Sequence, residues 1–148
     1  MQSNNIPIYQ KNEFKKMHNA GRLAAYILDQ LYELIKPGIS TLEINNFCHD
    51  LIIKNKAIPA PLNYKGFPKS VCTSVNHVVC HGIPNEKKIL NIGDIINVDV
   101  TVILDGWYGD SSRMFAAGKT NKKTYDLIKT TYECLHIGIK EAQPGKTL

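Results

Sequence analysis

No apolar stretch in this 148-residue chain approaches the roughly 18–20 residues that a membrane-spanning helix needs. The first ten residues have neither the basic start nor the apolar run of an export signal, so a cytoplasmic location is the expectation. Cysteine is sparse. Cys48, Cys72, Cys80 and Cys134 are widely spaced with no C-x-x-C pair, a pattern that fits reduced thiols better than a disulfide framework. Blocks of like charge are missing as well. The net charge of +5 comes mostly from lysines placed singly or in pairs, with no aromatics interleaved as a single-strand nucleic-acid platform requires. Dispersed solubilising lysines, or a weak attraction to phosphate near RNA or ribosomes, are the two readings of that excess. Low-complexity runs are absent too. With 43% hydrophobic and 21% charged residues, the composition suits one globular unit with a real core.

The most informative stretch present is Ile95 to Ala117. From Ile95 to Leu104 the residues Ile96, Val98, Val100, Val102 and Leu104 make one apolar face, and Asn97, Asp99 and Thr101 lie on the other; this is the period of a strand. Asp105-Gly106 readily takes the positive φ angles of a tight turn, and Trp107 to Phe115 is again β-prone, so the stretch reads as a hairpin. Closing the turn there sets Leu104 opposite Trp107, Ile103 opposite Tyr108, Thr101 opposite Asp110 and Asp99 opposite Ser112. Asp99 and Asp110 then become diagonal neighbours on one face, with Cα atoms roughly 7–8 Å apart. Two carboxylates at that range repel unless one is protonated or a cation lies between them. A metal is the simplest remedy, although two solvated acids on an exposed sheet face would show the same spacing.

Before the hairpin, Glu13 to Lys36 carries an apolar stripe of helical period, with Asn12 as N-cap and Pro37-Gly38 as stop. Ser40-Thr41-Leu42-Glu43 is a capping-box pattern opening a second helix, with Ile44, Phe47, Cys48, Leu51 and Ile52 as its buried stripe. Pro59 to Pro68 is a proline- and glycine-rich loop whose Leu62, Tyr64 and Phe67 could line a pocket or merely cap the core. Ser70 to His81 reads as two short strand pieces meeting near Asn76-His77, with His81 presented at a sheet edge. That histidine could be structural or functional, and Cys80-His81 lacks a second pair at zinc-site spacing. Ile89 to Asn91 reads as a short strand. After the hairpin, Thr124 to Ala142 is helical, capped by Thr120-Asn121, with Leu127, Ile128, Thr131, Leu135 and Ile139 on one stripe.

The end of that helix echoes an earlier one. Lys36-Pro37-Gly38-Ile39-Ser40 is matched by Gln143-Pro144-Gly145-Lys146-Thr147, which suggests an internal repeat of roughly a hundred residues whose second copy is only beginning; chance is the rival, since Pro-Gly after a helix is common.

Taken together, Tyr64 to Pro68, Ser74 to Pro84, Gly93 to Asp99 and Gly109-Asp110 resemble the bacterial type I methionine aminopeptidases. The resemblance runs from the first helix to the last residue, and the blocks are specific in combination. It implies an α/β (α+β) fold: the first half of the pseudo-symmetric pita-bread arrangement, with two antiparallel helices packed on an antiparallel sheet, plus a further helix. Residues 1–148 would then be the N-terminal part of a single metallopeptidase domain, truncated before its second half. The resemblance further implies that Asp99 and Asp110 are metal ligands, with Asp110 bridging two divalent ions (Mn, Fe or Co). His81 would contact substrate near the scissile peptide, and Tyr64, Phe67 and Cys72 would surround the initiator methionine side chain. Pro61 and Phe67 depart from the Cys and Tyr often found at those positions.

The expected partners are nascent peptide N-termini and the ribosome, with no membrane and no specific nucleic acid, and the full-length form is expected to be a monomer. Because the family draws further ligands from its second half, the 148-residue chain by itself is expected to be inactive. A non-catalytic peptide- or ribosome-binding module is the alternative. A Pro-directed peptidase shares the two-acid hairpin, but the Tyr64–Pro68 and Asn76–Pro84 blocks argue against it.

Overall fold

A computed structural model describes residues 6–147; the opening residues 1–5 and Leu148 lie outside what it describes. Its elements are helix α1 (Lys11–Leu34), helix α2 (Thr41–Lys54), strand β1 (Ile58–Pro59), a single 3-10 turn (Tyr64–Gly66), strand β2 (Cys72–Val75), strand β3 (Ile95–Leu104), strand β4 (Trp107–Ala116) and helix α3 (Lys122–Glu141). Among the described residues these make three helices with a four-stranded antiparallel sheet, the α+β class expected.

Strand β3 is central. Strand β4 pairs along its whole length, while β1 (at Ile103 and Val102) and β2 (at Ile96 to Asp99) follow one another along its opposite edge. The hairpin register is the one the turn dictates: Leu104 faces Trp107, Thr101 faces Asp110 and Asp99 faces Ser112. At the turn Asp105 and Gly106 take φ of +50° and +81°, the left-handed values that two-residue hairpin turns demand.

The apolar face of β3 is covered from Ile96 to Val102, with Leu104 at its end partly buried. Ile96, Val98, Val100 and Val102 are buried beside Ala24, Ile27, Leu28 and Leu31 of α1 and Ile44, Cys48 and Ile52 of α2. Burying such side chains stabilises by about 1.5–3 kcal/mol each. Helix α1 comes so close to β4 that only glycine fits between them: a Cβ on Gly109 would stand 2.2 Å from the carbonyl of Ala20.

Helix boundaries differ in detail from the expectation. Helix α1 starts earlier, at Lys11 after Gln10, because the Glu13 carboxylate accepts the Gln10 N–H at 2.7 Å, which places Glu13 rather than a residue after Asn12 at the third position. Helix α2 begins as predicted: Ser40 Oγ accepts from the Glu43 N–H at 3.1 Å, and Glu43 accepts from the Ser40 N–H at 2.8 Å. Cys48 lies within its buried stripe, as expected. Helix α3 is capped by Asn121, whose side chain accepts from the Thr124 N–H at 2.9 Å.

Two expectations are corrected. The second strand piece before His81 does not form, because Asn76 turns the chain out of the sheet with φ of +53°. Its side-chain oxygen takes the Ile95 N–H at 3.0 Å and its amide donates to Asp94 at 2.8 Å, so it ties the start of β3 instead. Ile89 makes an isolated bridge to Ser40 rather than a strand. Helix α3 forms where its apolar stripe places it and leaves that stripe open: Leu127, Leu135 and Ile139 are each more than half exposed. Only a groove separates α3 from α1 and β4, lined on the helix side by Tyr125, Ile128 and Tyr132. The echo between the helix ends extends to the backbone, with Gly38 and Gly145 both left-handed at φ of +95° and +85°.

Candidate metal-binding carboxylate pair

The hairpin presents Asp99 and Asp110 on the face of the sheet opposite α1. Alternation alone achieves this: Val98 and Val100 turn into the core and Asp99 between them turns out, while Gly109 lies under α1 and Asp110 beside it turns out. Asp99 is half-buried and Asp110 exposed. Burial, the charge of Asp110 and a hydrogen bond to Asp110 all raise the Asp99 carboxyl above its ordinary value, and the nearby His81 partly offsets them. Asp110 is therefore close enough for its charge to oppose the ionisation of Asp99, which an independent solvated side chain would not do.

On the β2 side, Cys72 is the register partner of Asp99. Burial first, then Asp99, Cys80 and Asp110, push its thiol up to about 11. It is therefore a neutral, poorly nucleophilic group at pH 7. His81 reaches the same neighbourhood by a close backbone approach rather than as the end of a strand. The Thr73 N–H donates to the Gly82 carbonyl at 2.8 Å, and Ser74 Oγ accepts from the Gly82 N–H at 3.1 Å. A Cβ on Gly82 would fall 2.1 Å from the Thr73 carbonyl oxygen, so glycine is what allows the loop to seat. His81 itself is exposed, with φ of +55°.

Tyr64 and Phe67 are not drawn in as tightly. Tyr64 is 65% exposed on the 3-10 turn, with the Lys65 ammonium 5.5 Å from its ring, and Phe67 is half-buried. Their loop is tied to the site strand where the Ala60 N–H donates to the Thr101 carbonyl at 3.0 Å, and it is closed on itself by the Asn63 N–H donating to the Phe67 carbonyl at 2.8 Å.

Two residues not singled out from sequence take part. Thr101 Oγ1 donates to an Asp110 carboxylate oxygen at 2.8 Å, and Asn97 donates to Ser112 Oγ at 3.4 Å. Both are cross-strand contacts on the face of the acids, and the register that pairs Thr101 with Asp110 already contains the signal for the first.

Two hard carboxylate donors side by side on one sheet face fit a divalent cation. They fit it as part of a ligand set, since among the described residues no group of three or more His, Cys, Asp or Glu side chains could hold a metal. Cys80-His81 accordingly has no second half of a zinc site among those residues.

This chain belongs to metallopeptidase family M24, whose sequence profile matches residues 15–148. It is 54% identical over 143 residues to a methionine aminopeptidase of Rickettsia prowazekii, covering 97% of this chain and 55% of that protein. A crystal structure of methionine aminopeptidase from Rickettsia prowazekii superposes with a TM-score of 0.85 at 57% identity, over 86% of this chain and 51% of that one. One from Thermotoga maritima gives 0.90 at 33% identity, over 95% and 56%. The chain thus spans about half the length of the relatives it matches, and its sheet and helices are part of the pita-bread arrangement.

Proposed function

We propose that this chain carries the two-carboxylate part of a methionine aminopeptidase site, which removes the N-terminal methionine from nascent polypeptides in the cytoplasm. The observation that supports it most is the placement of Asp99 and Asp110 side by side on one sheet face, with His81 and Cys72 beside them. Asp99 and Asp110 hold two divalent ions together with ligands from outside the described residues. When bound, such ions acidify a water toward hydroxide at neutral pH and polarise a carbonyl. His81 orients the scissile amide through its imidazole. Cys72 stays uncharged at neutral pH and, with Tyr64 and Phe67, offers an apolar surface to the methionine side chain. Nascent peptide N-termini are the partners, met at the ribosome, and the full-length protein is a monomer.

Two carboxylates are too few for a dinuclear centre, so the 148-residue chain is expected not to turn over. The reading is tested by joining this chain to the remaining part of the Rickettsia prowazekii relative. Release of methionine from a Met-Ala-Ser peptide, lost on Asp110→Asn, is the expected result. A folded chimera that binds manganese and releases none would favour a non-catalytic module, and preference for a Xaa-Pro peptide would point to a Pro-directed enzyme.

A further inference from the structure

Asp110 stands on an edge strand with an exposed side chain. An exposed aspartate ordinarily samples several χ1 rotamers, and each metal-binding event then has to select one. Here the carboxylate has a fixed neighbour: the Thr101 hydroxyl donates to one of its oxygens at 2.8 Å.

Three features make that contact a positioning device rather than a chance surface bond. Thr101 lies directly opposite Asp110 in the ladder. Counting from the two-residue turn at Asp105-Gly106, this is one of the non-hydrogen-bonded pairs, whose side chains stand closest. Thr101 is also β-branched and half-buried, so its χ1 is restricted and its hydroxyl direction is set by the strand. Its backbone is held as well, with its carbonyl accepting the Ala60 N–H at 3.0 Å. Finally, a hydroxyl donor occupies only one of the roughly four lone-pair sites of a carboxylate, leaving sites on both oxygens for other ligands.

We propose that Thr101 is a positioning residue for the metal site, locking the Asp110 carboxylate by its hydroxyl hydrogen bond in the orientation that receives a divalent ion. This rests on the reading of Asp99 and Asp110 as metal ligands. Partners that orient a ligand in this way are worth about 10–100-fold in metal affinity.

The test uses the chimera with the remaining part of the Rickettsia prowazekii relative, carrying Thr101→Val, which is nearly isosteric and lacks the donor, or Thr101→Ser, which keeps it. Manganese affinity is measured by calorimetry, and the Asp110 χ1 distribution by heteronuclear three-bond couplings in metal-free protein. Thr101→Val is expected to lower affinity by about 10-fold or more and to spread Asp110 over several rotamers, with the metal-free melting temperature little changed. Thr101→Ser is expected to recover most of the affinity and the single rotamer. Wild-type affinity in Thr101→Val, an unchanged χ1 distribution, or equal loss in both variants would overturn the proposal while leaving the two ligands in place. Manganese uptake indifferent to Asp99→Asn and Asp110→Asn would remove the metal reading itself, and this proposal with it.

Discussion

Gly109 lies against the backbone of Ala20 so closely that a Cβ would stand 2.2 Å from the Ala20 carbonyl and 2.5 Å from the Gly21 nitrogen. The atoms in the way are helix backbone and cannot rotate aside. Gly109→Ala must therefore push α1 off β4 and disturb Asp110, the next residue. A loss of about 3 kcal/mol, the upper part of the usual overpacking range, is expected in a urea titration. An unchanged midpoint would show that the helix yields without cost.

Asp99 is expected to be stabilising when replaced. Its carboxyl is raised above the ordinary value by burial and by Asp110, so its charged form costs folding free energy; that cost is complete above the raised folded value and disappears only as pH falls below the ordinary one. In chelator-treated protein, Asp99→Asn should melt higher than wild type at pH 7, with the difference vanishing in acid. A variant that melts lower at pH 7 would contradict the repulsion between the two acids.

Asp94 has the opposite sign. The Asn76 side chain, chiefly, and the Asn91 N–H hold its carboxyl below the usual range. The stability it adds is complete above the ordinary value of about 4 and is lost as pH falls through the lowered folded value. Asp94→Asn should therefore be less stable than wild type at neutral pH, and the two melting curves should converge only in strong acid.

The four thiols should separate by reactivity. Cys80 and Cys134 are exposed, whereas Cys48 and Cys72 are buried with thiols pushed up to about 12 and about 11. A disulfide reagent at pH 8 should modify the first two quickly and the other two only in denaturant. Fast labelling of Cys72 in native protein would show that the β2–β3 seam opens.

Much of this was legible beforehand where a local rule decides the outcome. The alternation of Ile96 to Leu104 and the Asp105-Gly106 turn fix a register in which a slip of one residue would expose the core face, so the position of both acids followed. Ser40 and Glu43 likewise define their helix start without tertiary help. The errors arose where long-range contacts win. The local β-prone pattern puts Asn76 at the junction of two strand pieces, but its bonds to Asp94 and Ile95, far along the chain, turn it out of the sheet. The glycines at 82 and 109 carry no periodic signal, because what they accommodate is another segment's backbone. Helix α3 forms as its apolar period dictates, and within the described residues that stripe faces solvent and a groove.

The claim that Asp99 and Asp110 are ligands to a divalent ion is tested most directly by titrating Mn(II) into the metal-free chimera that joins this chain to the remaining part of the Rickettsia prowazekii relative, and following the free-ion signal by electron paramagnetic resonance. The unsubstituted chimera should suppress the signal, and Asp99→Asn and Asp110→Asn should each restore it. Equal uptake by all three proteins, or uptake by none, would contradict the account.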